Sequence, residues 1–422
     1  MSVYTSLLAL LLCTTIMVGS DGDTDHAEQV RRAVEGGVDT PEEIAAVEAT
    51  IAALEANLGG LVRTSLAQRM AFYDVPGMTM AVIRAGQVEW VEAYGISNLE
   101  TGEPMRRHLR LQAASISKPV TAMAIMRLVE QGFLSLDAPI NEALSSWQLP
   151  ENNLTASTPV TLRHILSHTS GVNNEGFQGY PRDAEVPSLA QILDGLPPAR
   201  HPPIQVIEPP GWRWHYSSGA YTILQQVIED LTGETFKAYV ENDILRPANM
   251  QMSTFAQPLD DASIMDFRVA SLHGVPIYPY TYPELPAAGM WSTALDLARL
   301  TIAFQKALAG EPGALLSAAT AAEMVTPQWP APRPTDILTS PFPGMGLGWF
   351  LADGPEPTWF WHRGGNAGYS SLIVGDLQGA GHGVAVMTNA FSGGQLLAWE
   401  IVNAIADLHA WPGWENWGLV RQ

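Results

Sequence analysis

A serine and a lysine three residues apart, Ser115 and Lys118, are the residues whose types and spacing point most directly to chemistry. They lie in the segment ASISKPVTA, and Lys118 is one of three lysines in a chain of 422 residues. Side chains three residues apart on a helix share a face. Apolar neighbours lower the pKa of a lysine ammonium group because desolvation disfavours its charge. A neutral amine beside a hydroxyl can accept its proton, so the pair predicts a serine nucleophile activated without histidine.

This segment is predicted to begin a helix that runs from Ser115 to about Glu130. A serine at that start lies at the positive end of the helix macrodipole, which stabilises a developing oxyanion. Pro119 is tolerated there because the first backbone N–H groups of a helix lack partners. The spacing taken alone also fits a lysine that only packs its stem along the helix, so further motifs must decide between the two interpretations.

Two further segments carry residue types that suit the same chemistry. Tyr216-Ser217-Ser218 lies on a loop before a predicted helix, and His362-Arg363-Gly364-Gly365 precedes a strand-like run. The remaining matches are Pro76-Gly77, the segment RHILSHTSG at 163–171 and the segment AGMWST at 288–293. In this order the motifs resemble the serine β-lactamase and penicillin-binding-protein superfamily, in its class C-like branch. That branch includes class C β-lactamases, D-alanyl-D-alanine carboxypeptidases, D-aminopeptidases and β-lactamase-fold esterases, and the likeness runs from about residue 76 to 405.

The resemblance implies a hydrolase that works through an acyl-enzyme and needs neither a cofactor nor a metal. Ser115 would be the acylated nucleophile and Lys118 its proton acceptor. Tyr216 matches the tyrosine of the family's Tyr-x-Asn motif and would relay a proton to the leaving group, and either Lys118 or Tyr216 can be the general base. His362 stands where many relatives carry the lysine of a Lys-Thr-Gly motif. Because imidazole titrates near pH ~6.5, His362 is expected to change the rate or the substrate affinity around neutrality.

The residues after His362 are predicted to form a wall of the site and its oxyanion hole. Side chains alternate along a strand, so His362 would face the cleft and Arg363 would point away. Gly364 and Gly365 have no side chain, which lets a substrate lie against the strand edge. In the family's pattern, the backbone N–H groups of Ser115 and Gly365 would form the oxyanion hole.

Ser218 departs from the family's pattern, since it replaces the asparagine of the Tyr-x-Asn motif. A hydroxyl can hold the lysine but reaches less far toward a substrate amide than an asparagine side chain does. The change favours ester or amide bonds of small acyl or D-amino-acid-type substrates over a β-lactamase or D-alanyl-D-alanine carboxypeptidase proper. It also leaves open a second class of function, a non-catalytic penicillin- or peptide-binding module that stalls as an acyl-enzyme or never forms one.

The elements that position these residues are predicted from the apolar pattern. Strand-like runs cluster near both ends of the chain, and the middle is mostly helical. The runs cover residues 78–83, 87–94, 369–374 and 383–388. This predicts an α+β fold, in which N- and C-terminal segments build one antiparallel sheet flanked by helices around an inserted helical subdomain. The predicted sheet subdomain comprises residues 76–114 and 286–410, the helical subdomain comprises residues 115–285, and the active site lies between them.

The composition indicates a folded domain with an acidic surface. Hydrophobic residues make up 46% of the chain and the formal net charge is -21, which argues against nucleic acid and anionic lipid as partners. The N-terminal run LLALLLCTTIMV is too short to span a bilayer and predicts a signal peptide over residues 1–20, hence export to the periplasm or medium. No basic residue precedes that run, so a buried N-terminal helix is the alternative. Residues 21–75 are predicted to form a helical segment, and a chain without Cys13 has no thiol for disulfides or catalysis.

Two other groups of residues are predicted to serve packing. His164 and His168 are four residues apart, a spacing that suits a metal, but no acidic third ligand lies near them in the sequence. We therefore predict no metal site. Trp212, Trp214 and Trp291 could line a hydrophobic substrate wall, although core packing is the favoured interpretation. The C-terminal tryptophans are assigned to packing as well: Trp411, Trp414 and Trp417.

Overall fold

The computed structural model describes residues 65–265, 269–330, 344–352 and 357–414. The predicted signal peptide and Trp417 lie outside these ranges, as does all of the predicted N-terminal segment before residue 65. Among the helices of the described residues, none has both the length and the apolar character that a membrane span requires.

Helices fill the middle of the described chain, and strands lie mainly toward its two ends. The α-helices are, in chain order, α1 (Leu66–Phe72), α2 (Ser117–Glu130), α3 (Leu162–Leu166), α4 (Leu189–Asp194), α5 (Ser218–Thr232), α6 (Phe236–Val240), α7 (Ala262–Met265), α8 (Leu285–Ala288), α9 (Ala294–Leu308), α10 (Ala318–Val325) and α11 (Ser392–Leu408). The strands are β1 (Gly77–Arg84), β2 (Gln87–Asn98), β3 (Glu103–Pro104), β4 (Leu111–Ala114), β5 (Ala270–Leu272), β6 (Val275–Ile277), β7 (Met290–Ser292), β8 (Trp329–Pro330), β9 (Gly344–Met345), β10 (Phe350–Ala352), β11 (Trp359–Asn366), β12 (Tyr369–Asp376) and β13 (Gly383–Thr388).

One antiparallel sheet joins the two ends of the chain. Its strand order is β3-β2-β1-β13-β12-β11-β10-β9-β8, so the N-terminal β1 pairs with the C-terminal β13 from Met78–Thr388 to Ile83–Gly383. The first hairpin turns at Ala85 and Gly86, whose φ angles of 50° and 72° suit the tight turns that connect twisted strands. The predicted α+β fold, with one antiparallel sheet built from both ends of the chain, is confirmed.

Both faces of the sheet are covered, because its central strands are apolar on both sides. In β1, Met78, Met80 and Val82 belong to the apolar cluster under α11, whereas Ala81 and Ile83 belong to the cluster that contains the apolar residues of α9. This alternation follows the two-residue period of a strand. The C-terminal tryptophans extend the α11 cluster. Trp411 stacks on Trp359 with ring centres 4.6 Å apart, and Trp414 meets Trp359 edge-on at 5.2 Å.

Helix α2 is buried around nearly its whole circumference, from Ser117 to Met126. A helix that is apolar on all sides is a core helix, and α2 packs against α5 and the short α8. Strand β4, which leads into α2, pairs with β7 just after α8. The starts of α2 and α5 therefore meet α8 and β11 at one place in the molecule, where the predicted catalytic residues lie.

Candidate active site

The Ser115 hydroxyl lies in a turn between β4 and α2. Helix α2 begins at Ser117, so the predicted helix start at Ser115 is wrong by two residues. The Ser117 hydroxyl fixes this turn by donating to the Ala114 carbonyl at 2.6 Å and accepting the Met290 N–H at 3.0 Å. Ala114 has a φ of 51°, which is a strained conformation for a residue other than glycine. Contacts between distant segments therefore hold the nucleophile in its position.

The amine of Lys118 is fully buried and lies beside the nucleophile. Its Nζ is 3.2 Å from Ser115 Oγ and donates a hydrogen bond to the Ala287 carbonyl at 2.8 Å. Burial holds the pKa of Lys118 well below its usual value, because the charged form loses its hydration. A neutral amine can donate to Ala287 and still offer its lone pair to the Ser115 hydroxyl. The structure thus brings the predicted pair into the geometry that proton transfer needs.

Tyr216 is presented to the nucleophile by the loop before α5. Ser217 caps that helix, since its hydroxyl accepts the Ala220 N–H at 2.9 Å and donates to the Asn173 carbonyl at 2.8 Å. Burial raises the pKa of the Tyr216 phenol to about 12, and a hydrogen bond with the Ser115 side chain opposes that shift. The phenol is therefore protonated at neutral pH and can donate a proton close to Ser115.

His168 supports Tyr216, a contact that the sequence alone does not reveal. Its ring stacks on that of Tyr216 with centres 4.2 Å apart, and its Nδ1 accepts the Ser217 N–H at 3.0 Å. Because Nδ1 accepts, the ring proton lies on Nε2, and burial lowers the pKa of His168 well below its usual value. The packing role predicted for His168 thus consists of contacts with Tyr216 and Ser217. The available signal was the position of His168 in the segment 163–171, one of the matched motifs. Among the described residues, no cluster of His, Cys, Asp or Glu could hold a metal.

His362 faces the cleft side of β11, but it does not titrate near neutrality. Burial is the main cause that lowers its pKa to about 3, and any positive charge on Lys118 acts in the same direction. Its Nδ1 lies 2.7 Å from the Arg363 carbonyl, which can only accept, so Nδ1 carries the proton and Nε2 the lone pair. The expectation of a pH response near neutrality through His362 is therefore wrong, because it used the pKa of a hydrated imidazole.

The pairing of β11 with β10 ends before the residues that lie near the nucleophile. Strand β10 pairs with β11 only from Trp359 to Trp361. A Cβ on Gly364 would lie 2.1 Å from the Ala113 carbonyl, so only glycine allows β11 to approach the chain just before Ser115. The Ser115 N–H has no acceptor among the described residues. These features suit the predicted oxyanion hole at Ser115 and Gly365, whose role stays a prediction.

Ser218, which replaces the family asparagine, has a hydrogen-bond partner outside the catalytic group. Its hydroxyl donates to the Glu175 carbonyl at 2.8 Å, and the amine of Lys118 is held by Ser115 and Ala287 instead. Ser218 thus anchors the loop that begins at Asn174 to the start of α5. Its predicted contact with substrate stays a prediction.

The three tryptophans grouped in the sequence analysis occupy different environments. Trp291 is fully buried in β7, as core packing requires. Trp214 lies beside the site, with its ring centre 6.3 Å from those of Tyr216 and Phe350. Trp212 is 61% exposed, so the packing interpretation is wrong for this residue. Two prolines and a glycine precede it in the chain.

Both the sequence and the structure of the chain are similar to those of known proteins. The family model described as Beta-lactamase matches residues 62–406. Esterase EstB of Burkholderia gladioli is 29% identical over 293 residues, which are 59% of this chain and 73% of that protein. Penicillin-binding protein 4 of Amycolatopsis lactamdurans is 28% identical over 331 residues, or 75% and 81% of the two chains. The solved structure of the octameric penicillin-binding protein homologue from Pyrococcus abyssi has a TM-score of 0.65 and 26% identity, over 82% of this chain and 76% of that one.

Proposed function

Because the chain belongs to the Beta-lactamase family, we propose that it is a serine hydrolase that cleaves carboxylic esters of small acyl groups through an acyl-enzyme on Ser115. The observation that carries this proposal is the 3.2 Å separation between Ser115 Oγ and the buried Nζ of Lys118. A buried amine with a lowered pKa is the base that a serine hydroxyl needs at neutral pH.

The proposed reaction uses the groups already described. Ser115 Oγ attacks the ester carbonyl carbon while its proton passes to Lys118 Nζ, and the N–H groups of Ser115 and Gly365 bind the oxyanion. The tetrahedral intermediate then breaks its bond to the alcohol oxygen, which takes a proton from the Tyr216 phenol. Lys118 returns its proton to Tyr216, and a water molecule repeats the sequence on the acyl-enzyme to release the acid.

Two observations support esters over amides and β-lactams. Ser218 stands where the family's pattern has an asparagine, and its hydroxyl is engaged by the Glu175 carbonyl. No side-chain amide therefore stands at this position to bind a substrate amide carbonyl. His362 is neutral and presents a lone pair, so it offers no positive charge to a substrate carboxylate. The name of the related esterase EstB agrees with this preference.

A second candidate, cleavage of D-peptides or β-lactams, is favoured by one residue. The positive charge of Arg363 is close enough to Tyr216 to lower the pKa of its phenol. A cation on the leaving-group side could hold the carboxylate that these substrates carry. Penicillin-binding protein 4 of Amycolatopsis lactamdurans is similar to the chain over 75% of its length, compared with 59% for EstB.

The experiment compares 4-nitrophenyl butyrate, a D-alanyl-D-alanine peptide and nitrocefin on the wild type, Ser115→Ala and the control Ser157→Ala, which alters an exposed serine far along the chain. We expect ester turnover to dominate in the wild type and the control, and to be lost in Ser115→Ala. Mass spectrometry of quenched reactions should find the acyl group on the peptide that contains Ser115. Preferred turnover of the peptide or nitrocefin would support the second candidate, and an acyl group that forms without turnover would indicate a binding module.

A further inference from the structure

A polar cavity lies beside the loop that follows Asn174. It has a volume of about 200 Å³ and is lined by the loop that starts at Asn174, by residues 200–202 and by Glu284. Two segments connect the cavity to the active site. The Asn174 carbonyl accepts the backbone N–H of Ser218 at 2.8 Å. Glu284 directly precedes α8, the helix whose Ala287 carbonyl holds Lys118.

The carboxyl group of Glu284 is the unusual feature of this cavity. Its side chain is fully buried, and no other described residue gives either of its oxygens a hydrogen bond, although its own backbone N–H is close enough to lower its pKa slightly. A buried carboxyl group without a partner is costly, since it loses its hydration and receives no compensating hydrogen bond. Such a group at the wall of a cavity is best explained by a ligand that supplies donors.

The other polar groups of the cavity show which kind of ligand fits. His201 Nδ1 lies 2.9 Å from the Pro202 carbonyl and donates to it, which leaves His201 Nε2 as an acceptor without a partner. Two unpartnered groups of the lining can donate, the side-chain nitrogen of Asn174 and the hydroxyl of Tyr180, and the hydroxyl can also accept. His201 Nε2 and the two Glu284 oxygens are three acceptors, and the carboxyl becomes anionic when it loses its proton.

We propose that this cavity binds a primary ammonium group, whose three N–H donors meet the carboxylate of Glu284 and the Nε2 of His201. An engineered apolar cavity of about 150 Å³ accommodates benzene, so 200 Å³ admits an ammonium group with a short alkyl stem. The group belongs either to the acyl part of a substrate or to a free small amine. In the first case the inference rests on the proposed esterase function, and in the second it does not.

Binding is coupled to loss of a proton from Glu284. Burial raises the pKa of this carboxyl to about 8, so at pH 7 it is mostly protonated in the empty cavity and releases its proton when an ammonium group binds. The surrounding groups keep their charge over this range. Burial raises the pKa of both Tyr180 and Tyr282, and burial lowers that of His201. Arg200 is exposed to solvent, its guanidinium lying 5.1 Å from the ring centre of Tyr180.

The first test is calorimetric titration of the full chain with ethylammonium chloride, and with ethanol as the uncharged match. The variants are Glu284→Gln, which imitates the protonated carboxyl, His201→Leu, and the control Glu151→Gln, which removes an exposed carboxylate. We expect ethylammonium to bind the wild type and the control with proton release, and Glu284→Gln to lose roughly tenfold or more in affinity, as for a lost charged hydrogen bond. His201→Leu should bind more weakly as well. Equal affinity in Glu284→Gln and the wild type, or no binding to the wild type, would overturn the proposal.

The second test separates the two sources of the ammonium group. It compares kcat/KM for 4-nitrophenyl 6-aminohexanoate with that for 4-nitrophenyl heptanoate, in which a methyl group replaces the ammonium. A substrate-borne group predicts a preference for the amino ester that Glu284→Gln abolishes through KM, with heptanoate turnover unchanged. A free amine predicts the same ester ratio in both proteins together with ethylammonium binding. If neither ester is hydrolysed, the esterase proposal fails while the titration still decides the cavity.

Discussion

Replacing Lys118 with methionine isolates the chemical role of the amine from its structural role. Methionine has a similar length and no charge, so it fills the space that the fully buried lysine occupies. The substitution removes two contacts of Nζ, at 3.2 Å to Ser115 Oγ and at 2.8 Å to the Ala287 carbonyl. The first contact is the one that the proposed mechanism needs, and the second is structural.

The two contacts predict very different effects on activity and stability. A positioned general base contributes about 10²–10⁴-fold to a rate, which corresponds to about 3–5 kcal/mol of transition-state stabilisation. Leaving the Ala287 carbonyl without a donor costs about 1–3 kcal/mol. Part of that cost is offset, because a protein with methionine at this position no longer loses the hydration of an amine on folding. We expect ester kcat/KM to fall by at least about 10²-fold, while the free energy of unfolding changes by no more than about 2 kcal/mol.

The assay is hydrolysis of 4-nitrophenyl butyrate, combined with urea denaturation of the same preparations. Lys306→Met is the matched control, because it removes a lysine whose side chain is half-exposed and whose ion pair with Glu311 is long, at 3.9 Å. It should retain full activity. A folded Lys118→Met protein that keeps more than about a tenth of the wild-type rate would refute the assignment of the base. The proton would then have to leave Ser115 by another route, and Tyr216 would be the next candidate.

Three further predictions follow from other contacts of the site. The pKa of His362 is held at about 3 while an unfolded histidine titrates near pH ~6.5, so the unfolded state binds more protons between these two pH values. The free energy of unfolding should therefore fall as the pH drops from about 6.5 toward 3, and it should fall less steeply in His362→Gln. An NMR titration that finds His362 changing its protonation near pH 6.5 would contradict this prediction. Gly364→Ala places a Cβ 2.1 Å from the Ala113 carbonyl, and this clash should lower the free energy of unfolding by about 1–3 kcal/mol. The melting temperature and the rate of ester turnover should both fall. An unchanged melting curve would show that β11 can shift to accommodate the methyl group. Tyr216→Phe should lower kcat by about 10²-fold for esters of alcohols that are poor leaving groups. The loss should be smaller for 4-nitrophenyl esters, because 4-nitrophenolate departs without a proton. Equal losses for both kinds of ester would rule out the proton relay.

The closeness of Ser115 and Lys118 could be predicted from the sequence because their motif is local. Ser115 and Lys118 are joined within one turn, where the Lys118 N–H donates to the Ser115 carbonyl at 3.0 Å. Their closeness therefore survives an error in the helix start. The sheet was predictable for a similar reason. Alternating apolar residues in β1 fit a strand that is covered on both faces.

The features that the sequence could not supply depend on contacts between distant segments. The helix begins at Ser117, and the hydroxyl of this residue accepts a hydrogen bond from the Met290 N–H, 173 positions away. The low pKa of His362 arises from burial beside Lys118, and the partner of Ser218 is a backbone carbonyl 43 positions earlier. Neither a residue type nor a local spacing carries this information.

Burial in one pocket assigns opposite roles to Lys118 and Tyr216. Loss of hydration disfavours whichever form of a group is charged. It therefore lowers the pKa of the Lys118 ammonium, which makes the neutral amine available, and raises that of the Tyr216 phenol to about 12, which keeps its proton in place. Burial alone thus moves the pKa values of these two groups in opposite directions, so that one is a proton acceptor and the other a proton donor beside the same hydroxyl. The sequence leaves the base unassigned, and the shared desolvation favours Lys118 as the proton acceptor and Tyr216 as the donor to the leaving group.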